Sequence, residues 1–185
     1  MKGIDNLLDP VTRAQHNCIG YTSFPPFNYG GVCKGPSLMD TIRQYPSELL
    51  SLLGEVSISD LDGKVLMNFI GSSKASAGSD GSVKEGIGGH AFAISDTSFT
   101  HAIWGHAQTV GSHREMTSLQ AEHGGALGIQ LLLQAMNIFY QESFPQEFTI
   151  YIDNSEVVRR GQNKVPNLGI KQQLVLDYDL WATTQ

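Results

Sequence analysis

Long apolar runs are missing from this chain. No stretch approaches the roughly 18 residues that a membrane-spanning helix needs, and the opening MKGIDNLLDP holds no apolar signal core. The expectation is a protein with no membrane partner, in the cytoplasm or the nucleus. Cysteine is scarce, with only Cys18 and Cys33. Two thiols build neither a disulfide framework nor a four-cysteine zinc site, so both are expected to be free. Charge is sparse at 16% of residues, and 12 basic against 18 acidic side chains leave a net charge of -6. That balance speaks against holding nucleic acid by charge alone, yet it suits an acidic site that carries a divalent metal. There is no internal repeat and no G-x-S-x-G elbow. The glycines from Gly81 to Gly89 lack the Lys-Ser/Thr ending of a phosphate-binding loop. The Asp60–Gly63 run lacks the Glu that a calcium loop places six residues after its Gly, where Phe69 stands. His90, His101, His106, His113 and His123 show no zinc-motif spacing and read as strand and turn histidines.

What is present is the composition of a globular domain: 185 residues, 41% of them hydrophobic, with 20 glycines. That is enough chain for one core and an appendage. Residues 1–36, with YTSFPPFNYGGVCKGP at their end, read as an ordered loop or a segment packed on a neighbour. Residues 37–54 read as two helical pieces. Ser37 and Asp40 pair as a capping box, Ser47 caps the second piece behind Pro46, and Gly54 ends it. DLDGKVLMNFI reads as a turn and a strand. KASAGSDGSVKEGIGGHAFAIS alternates on both sides of a Gly-containing turn, which predicts a hairpin. A third β run covers roughly Phe99 to Val110. Thr117 and Gln120 form a capping box for a long helix to about Tyr140, buried on more than one side. Gly124 and Gly125 near its start weaken that helix by on the order of 1 kcal/mol each, so close approach to the sheet or a ligand is their expected use. EFTIYID reads as a buried strand, SEVVRR as a short helix, and IKQQLVLDYDLWATTQ as an amphipathic one.

Three sequential strands joined by tight turns should be antiparallel, and a fourth after a crossover helix should lie parallel to the first. The result is an α/β fold with a mixed sheet and helices on its faces. Parallel neighbours would bring Asp80, on the first strand, beside Asp153, at the end of the fourth. Glu122, near the start of the crossover helix, would reach the same edge. Three converging carboxylates repel one another unless a cation neutralises them. Hard oxygen donors without Cys or His select Mg2+ or Mn2+. A pair of such ions about 4 Å apart suits in-line displacement at phosphorus.

Four segments carry a resemblance: Asp80 in SDGSVKEGIGGHAFAI, Glu122 in SLQAEHGGALGIQLLLQ, Asp153 in FTIYIDNSEVV, and the late DYDLWATTQ. In this order they resemble ribonuclease H of type 1, most closely the form carried in reverse-transcriptase polyproteins of retroelements. The resemblance covers residues 71–185 and implies a ribonuclease H-like sheet. It implies cleavage of the RNA strand of RNA–DNA hybrids, with two Mg2+ ions held by Asp80, Glu122 and Asp153 as catalytic and metal ligands. Ser82, His123 and Asn154 would contact the nucleic acid. Residues 1–70 would resemble a connection segment with a short helix, and the rest of such a polyprotein would be a partner. The family continues with a strand, a His-bearing loop and a helix with a fourth Asp. These have no counterpart before Gln185, and Asp177 and Asp179 belong to the preceding helix. A sheet without that last strand would leave the fourth strand's edge open. Two other readings follow from the same residues: a non-catalytic remnant or binding module of this fold, or another nuclease of the superfamily, such as a transposase or 3′-exonuclease.

Overall fold

The computed structural model describes residues 18–21, 31–109, 116–141 and 148–152. In chain order they form β1 (Cys18–Tyr21), α1 (Leu38–Ile42), α2 (Ser47–Leu53), β2 (Glu55–Ile58), a 3-10 turn (Leu61–Gly63), α3 (Lys64–Gly71), β3 (Ala75–Lys84), β4 (Ile87–Asp96), β5 (Ala102–Gln108), α4 (Ser118–Tyr140) and β6 (Phe148–Ile152). The strands make one mixed sheet in the order β1-β6-β3-β4-β5-β2. The expected pattern is present at its centre: β3, β4 and β5 run antiparallel in sequence, and β6 lies parallel to β3 on its other side.

The hairpin has full register from Ala75 opposite Asp96 to Lys84 opposite Ile87. That leaves a two-residue loop, Glu85–Gly86, with φ of +54° and +78°. Positive φ at both positions matches the twist of the flanking strands, which is why such loops close hairpins tightly. The capping box of α4 forms as expected: Thr117 Oγ1 accepts from Gln120 N at 3.2 Å, and Gln120 Oε1 accepts from Thr117 N at 2.9 Å. Ser37 Oγ accepts from Asp40 N to start α1. The second piece differs in one detail. Pro46, not Ser47, is its N-cap, with no side-chain bond, and Ser47 is the first helical residue.

The segment read as a strand over residues 60–70 is helical instead. Its apolar run, VLMNFI, suits either state by length and composition. Burial decides between them: Leu66, Met67 and Ile70 are the inward residues, a spacing that a helix puts on one stripe. Asp60 also accepts from Val65 N at 3.0 Å, which holds the entry to the helix.

Both edge strands come from the segment before residue 71. β2 pairs antiparallel with β5, and β1 pairs antiparallel with β6, Cys18 opposite Tyr151. The open edge expected on the fourth strand is therefore occupied by β1.

The core lies on one side of the sheet. Its strand members are Ala75 and Ala77, Phe92 and Ile94, Ile103, and Phe148, Ile150 and Ile152, all from the same pleat face. The helices supply Leu38, Ile42, Leu53, Leu66, Ile70 and the stripe from Leu127 to Met136. Helices on both faces were expected; among the described residues all of them stack on this one. Tyr45, in the turn between α1 and α2, brings its hydroxyl within 2.9 Å of Leu131 O in the middle of α4. The opposite face keeps Asp80, Ser82, Ala91, Trp104 and His106 exposed. No described helix is long and apolar enough to cross a membrane.

Candidate functional site

The site is built at one point of β3. Ser79 lies opposite Ile152, the last residue of β6. Asp80 follows Ser79 in the chain as Asp153 follows Ile152. Asp153 and Asn154 lie outside the described residues, as do the helices expected after them.

α4 reaches the same point from below. A Cβ at Gly81 would fall 2.4 Å from Ala121 C and 2.4 Å from Glu122 N, both backbone atoms. Glycine at 81 is thus what lets the start of α4 touch the strand directly after Asp80. Three further glycines repeat the device along the helix. Gly124 receives the ring of His90, Gly125 the Cβ of Ser79, and Gly128 the ring of Phe92. The close approach expected for Gly124 and Gly125 is to the sheet.

The structure brings Asp80 and Glu122 to adjacent backbone positions but into different surroundings. Strand alternation points Asp80 away from the face that Ser79 and Gly81 turn toward α4. Asp80 is exposed, whereas Glu122 is buried at 3%. Ser82 is exposed on the same face as Asp80, opposite Gly89. His123 is only 1% exposed. The phosphate contact expected of it needs an accessible ring, and this one sits inside.

The donors available at the junction are carboxylate oxygens, the set that hard divalent ions take. Ser79 Oγ, one residue from Asp80, is buried with no hydrogen-bond partner among the described residues. Native structures seldom leave a buried hydroxyl so; it lies on the α4 side of β3, beside Gly125, and not on the exposed side that carries Asp80. Among the described residues no group of three or more His, Cys, Asp and Glu converges on one point; of the three expected carboxylates, only Asp80 and Glu122 are in that set.

The histidines behave as strand residues. His106 is exposed and stands 4.0 Å from Glu55 across the β5–β2 pair. His101 stacks on Phe69 with ring centroids 5.9 Å apart. His113 lies outside the described residues. His90 is buried and bonded at both nitrogens, to Thr109 Oγ1 at 2.9 Å and Leu52 O at 2.8 Å. Burial holds its pKa below the usual imidazole range, against a smaller upward effect of the Leu52 carbonyl. Alternation in HAFAI aligns His90 with Phe92 and Ile94 on the core face, the sequence signal that it would be interior.

Asp96, at the end of β4, is a further group whose environment shifts its pKa. Burial alone would raise its pKa. Hydrogen bonds from the Ser98 hydroxyl and from the amides of His101 and Thr100 outweigh that and hold the carboxyl below its usual range. It ties the β4–β5 loop and lies at the far end of β4 from the hairpin turn.

No family model, no curated protein and no solved structure matches the chain.

Proposed function

We propose that this chain is a ribonuclease H-like endonuclease, part of a retroelement reverse transcriptase, that hydrolyses the RNA strand of RNA–DNA hybrids with a divalent metal. One observation carries the reading. Ser79 is opposite Ile152, and Gly81 is against Ala121 and Glu122. Asp80 thus lies between a residue paired with the end of β6 and a residue in contact with the backbone of Glu122. The central strand order, with β6 parallel to β3 and β4 and β5 antiparallel beyond it, is the mixed sheet expected from the order of the elements, and it supports the reading.

Asp80, Glu122 and Asp153 would hold Mg2+, or Mn2+ in its place. Bound there, the metal supplies Lewis acidity that polarises a phosphate and makes water a stronger nucleophile near neutral pH. Asp80 faces solvent on the side of the sheet that the described helices leave open, so a polynucleotide backbone can approach it without displacing any described helix. Ser82, two residues on and on the same face, is within reach to bond a 2′-hydroxyl or a phosphate oxygen, and Asn154 would do the same from the β6 side. A 2′-hydroxyl contact distinguishes the RNA strand from DNA.

The test is cleavage of a labelled RNA–DNA hybrid by the full chain in Mg2+, with single-stranded RNA and duplex DNA as comparisons. Cleavage of the hybrid's RNA strand is expected. Loss of a partner outside the first coordination sphere typically costs 10–100-fold, so Asp80→Asn, Glu122→Gln and Asp153→Asn should each lower the rate by more than about 100-fold with the melting temperature held. Hybrid binding without cleavage would point to the non-catalytic module. Cleavage of DNA instead would point to the transposase or exonuclease class.

A further inference from the structure

The pairing of His90 with Gly124 has a role beyond packing. Four elements meet at the His90 ring. Its Nε2 faces Leu52 O, in the last turn of α2, where a carbonyl has no partner within its own helix. A carbonyl only accepts, so Nε2 carries the proton, and Nδ1 accepts from the Thr109 hydroxyl just past β5. Phe92 stacks on one side, with centroids 6.2 Å apart. On the α4 side the ring fills the place of the side chain that Gly124 lacks: a Cβ there would lie 2.7 Å from Nδ1. The two hydrogen bonds fix the ring's plane, and the ring in turn fixes how deeply the first turns of α4 sit.

Glu122 is two residues from Gly124, and its own backbone N is the atom against Gly81. Two contacts flank it on the backbone: Gly81 from β3 at Glu122 itself, and His90 from β4 at Gly124. We infer that His90 is a positioning residue for Glu122, holding the start of α4 so that this carboxylate is presented to a divalent metal at the β3 junction. This rests on the metal-dependent reading proposed above. It assigns His90 no contact with substrate or metal.

The test uses the full chain with four variants. His90→Ala removes the ring. His90→Gln keeps a donor for Leu52 O. Gly124→Ala pushes on the ring from the α4 side. Ile103→Val, in the core of β5, is a stability control away from α4's start. Two readouts are taken: amide hydrogen exchange along α4, and the Mg2+ concentration that half-saturates hybrid cleavage, with KM for the hybrid measured separately. His90→Ala and Gly124→Ala should speed exchange at residues 121–125 ahead of the rest of α4. They should also raise the Mg2+ half-saturation about tenfold, the size seen for residues that orient metal ligands, with hybrid KM unchanged. His90→Gln should recover part of both, and Ile103→Val should move neither. The inference is overturned if His90→Ala lowers the melting temperature but changes exchange and Mg2+ half-saturation no more than Ile103→Val does. If His90→Ala does not fold, Gly124→Ala and His90→Gln decide the matter by the same readouts. If the unsubstituted chain cuts no hybrid in Mg2+, the proposed function fails. The exchange pattern, and Mn2+ affinity measured by calorimetry on the same variants, still decide whether His90 positions Glu122.

Discussion

At the scale of single residues, two side chains near the sheet's centre carry opposite expectations. Ser79 Oγ is buried without a partner among the described residues, so removing it relieves a cost. Ser79→Ala should leave stability unchanged or raise it by up to about 1 kcal/mol, read as a higher midpoint in urea. Asp96 is the reverse case. Its carboxyl accepts from two amides and a hydroxyl, and these bonds hold its folded pKa below the usual carboxylate range. A depressed carboxyl adds stability that is present above the unfolded pKa and disappears as pH falls through the folded one. Asp96→Asn should therefore melt several degrees lower at neutral pH, and the gap to the unsubstituted chain should close in acid. A gap that stays constant down to pH 2 would refute this. Asp80 and Glu122 could be named from the chain because their motif surroundings are local. That one would be exposed and the other buried could not, because it depends on which face of β3 receives α4.

Among the elements, the contact of the β3–β4 hairpin with α4 is where sequence and packing agree best. Gly81, Gly124, Gly125 and Gly128 each take the place of a side chain that would collide with a neighbour. Gly81→Ala should be the most disruptive, because the atoms in its way are helix backbone rather than a movable side chain. A cost of about 1–3 kcal/mol is expected, with the start of α4 displaced. Equal stability of Gly81→Ala and the unsubstituted chain in thermal melts would count against the contact. The hairpin, β5, α4 and β6 were legible in the chain because period-two alternation, a reciprocal cap and a buried apolar run are local signals. α3 was misread because KVLMNFI satisfies a strand by composition, and only the packing of Leu66, Met67 and Ile70 makes it a helix. β2 and β1 were missed for a different reason. Four-residue edge strands show too few alternations to stand out, and what makes them strands is the edge they pair with.

For the molecule as a whole, the segment before residue 71 cannot be set apart from the sheet. It supplies both edge strands and core residues Leu38, Ile42, Leu53, Leu66 and Ile70. A chain beginning at residue 71 would expose Ile94, Ile103 and much of α4 to water. It should show no cooperative thermal transition, whereas the full chain should unfold in one step followed by circular dichroism. A sharp melt of the shorter chain would show that the sheet's centre and α4 suffice alone. No local pattern announces this dependence, because it is a property of distant segments sharing one core.

The pairing of Cys18 with Tyr151 also sets a clock on the protein's making. Closing so large a loop is entropically late, and such distant strand pairs slow folding. A ribosome adding roughly 5–20 residues per second leaves β1 waiting on the order of ten seconds before β6 exists. Through that interval β1 has no native partner, and a second nascent copy on the same message offers it one.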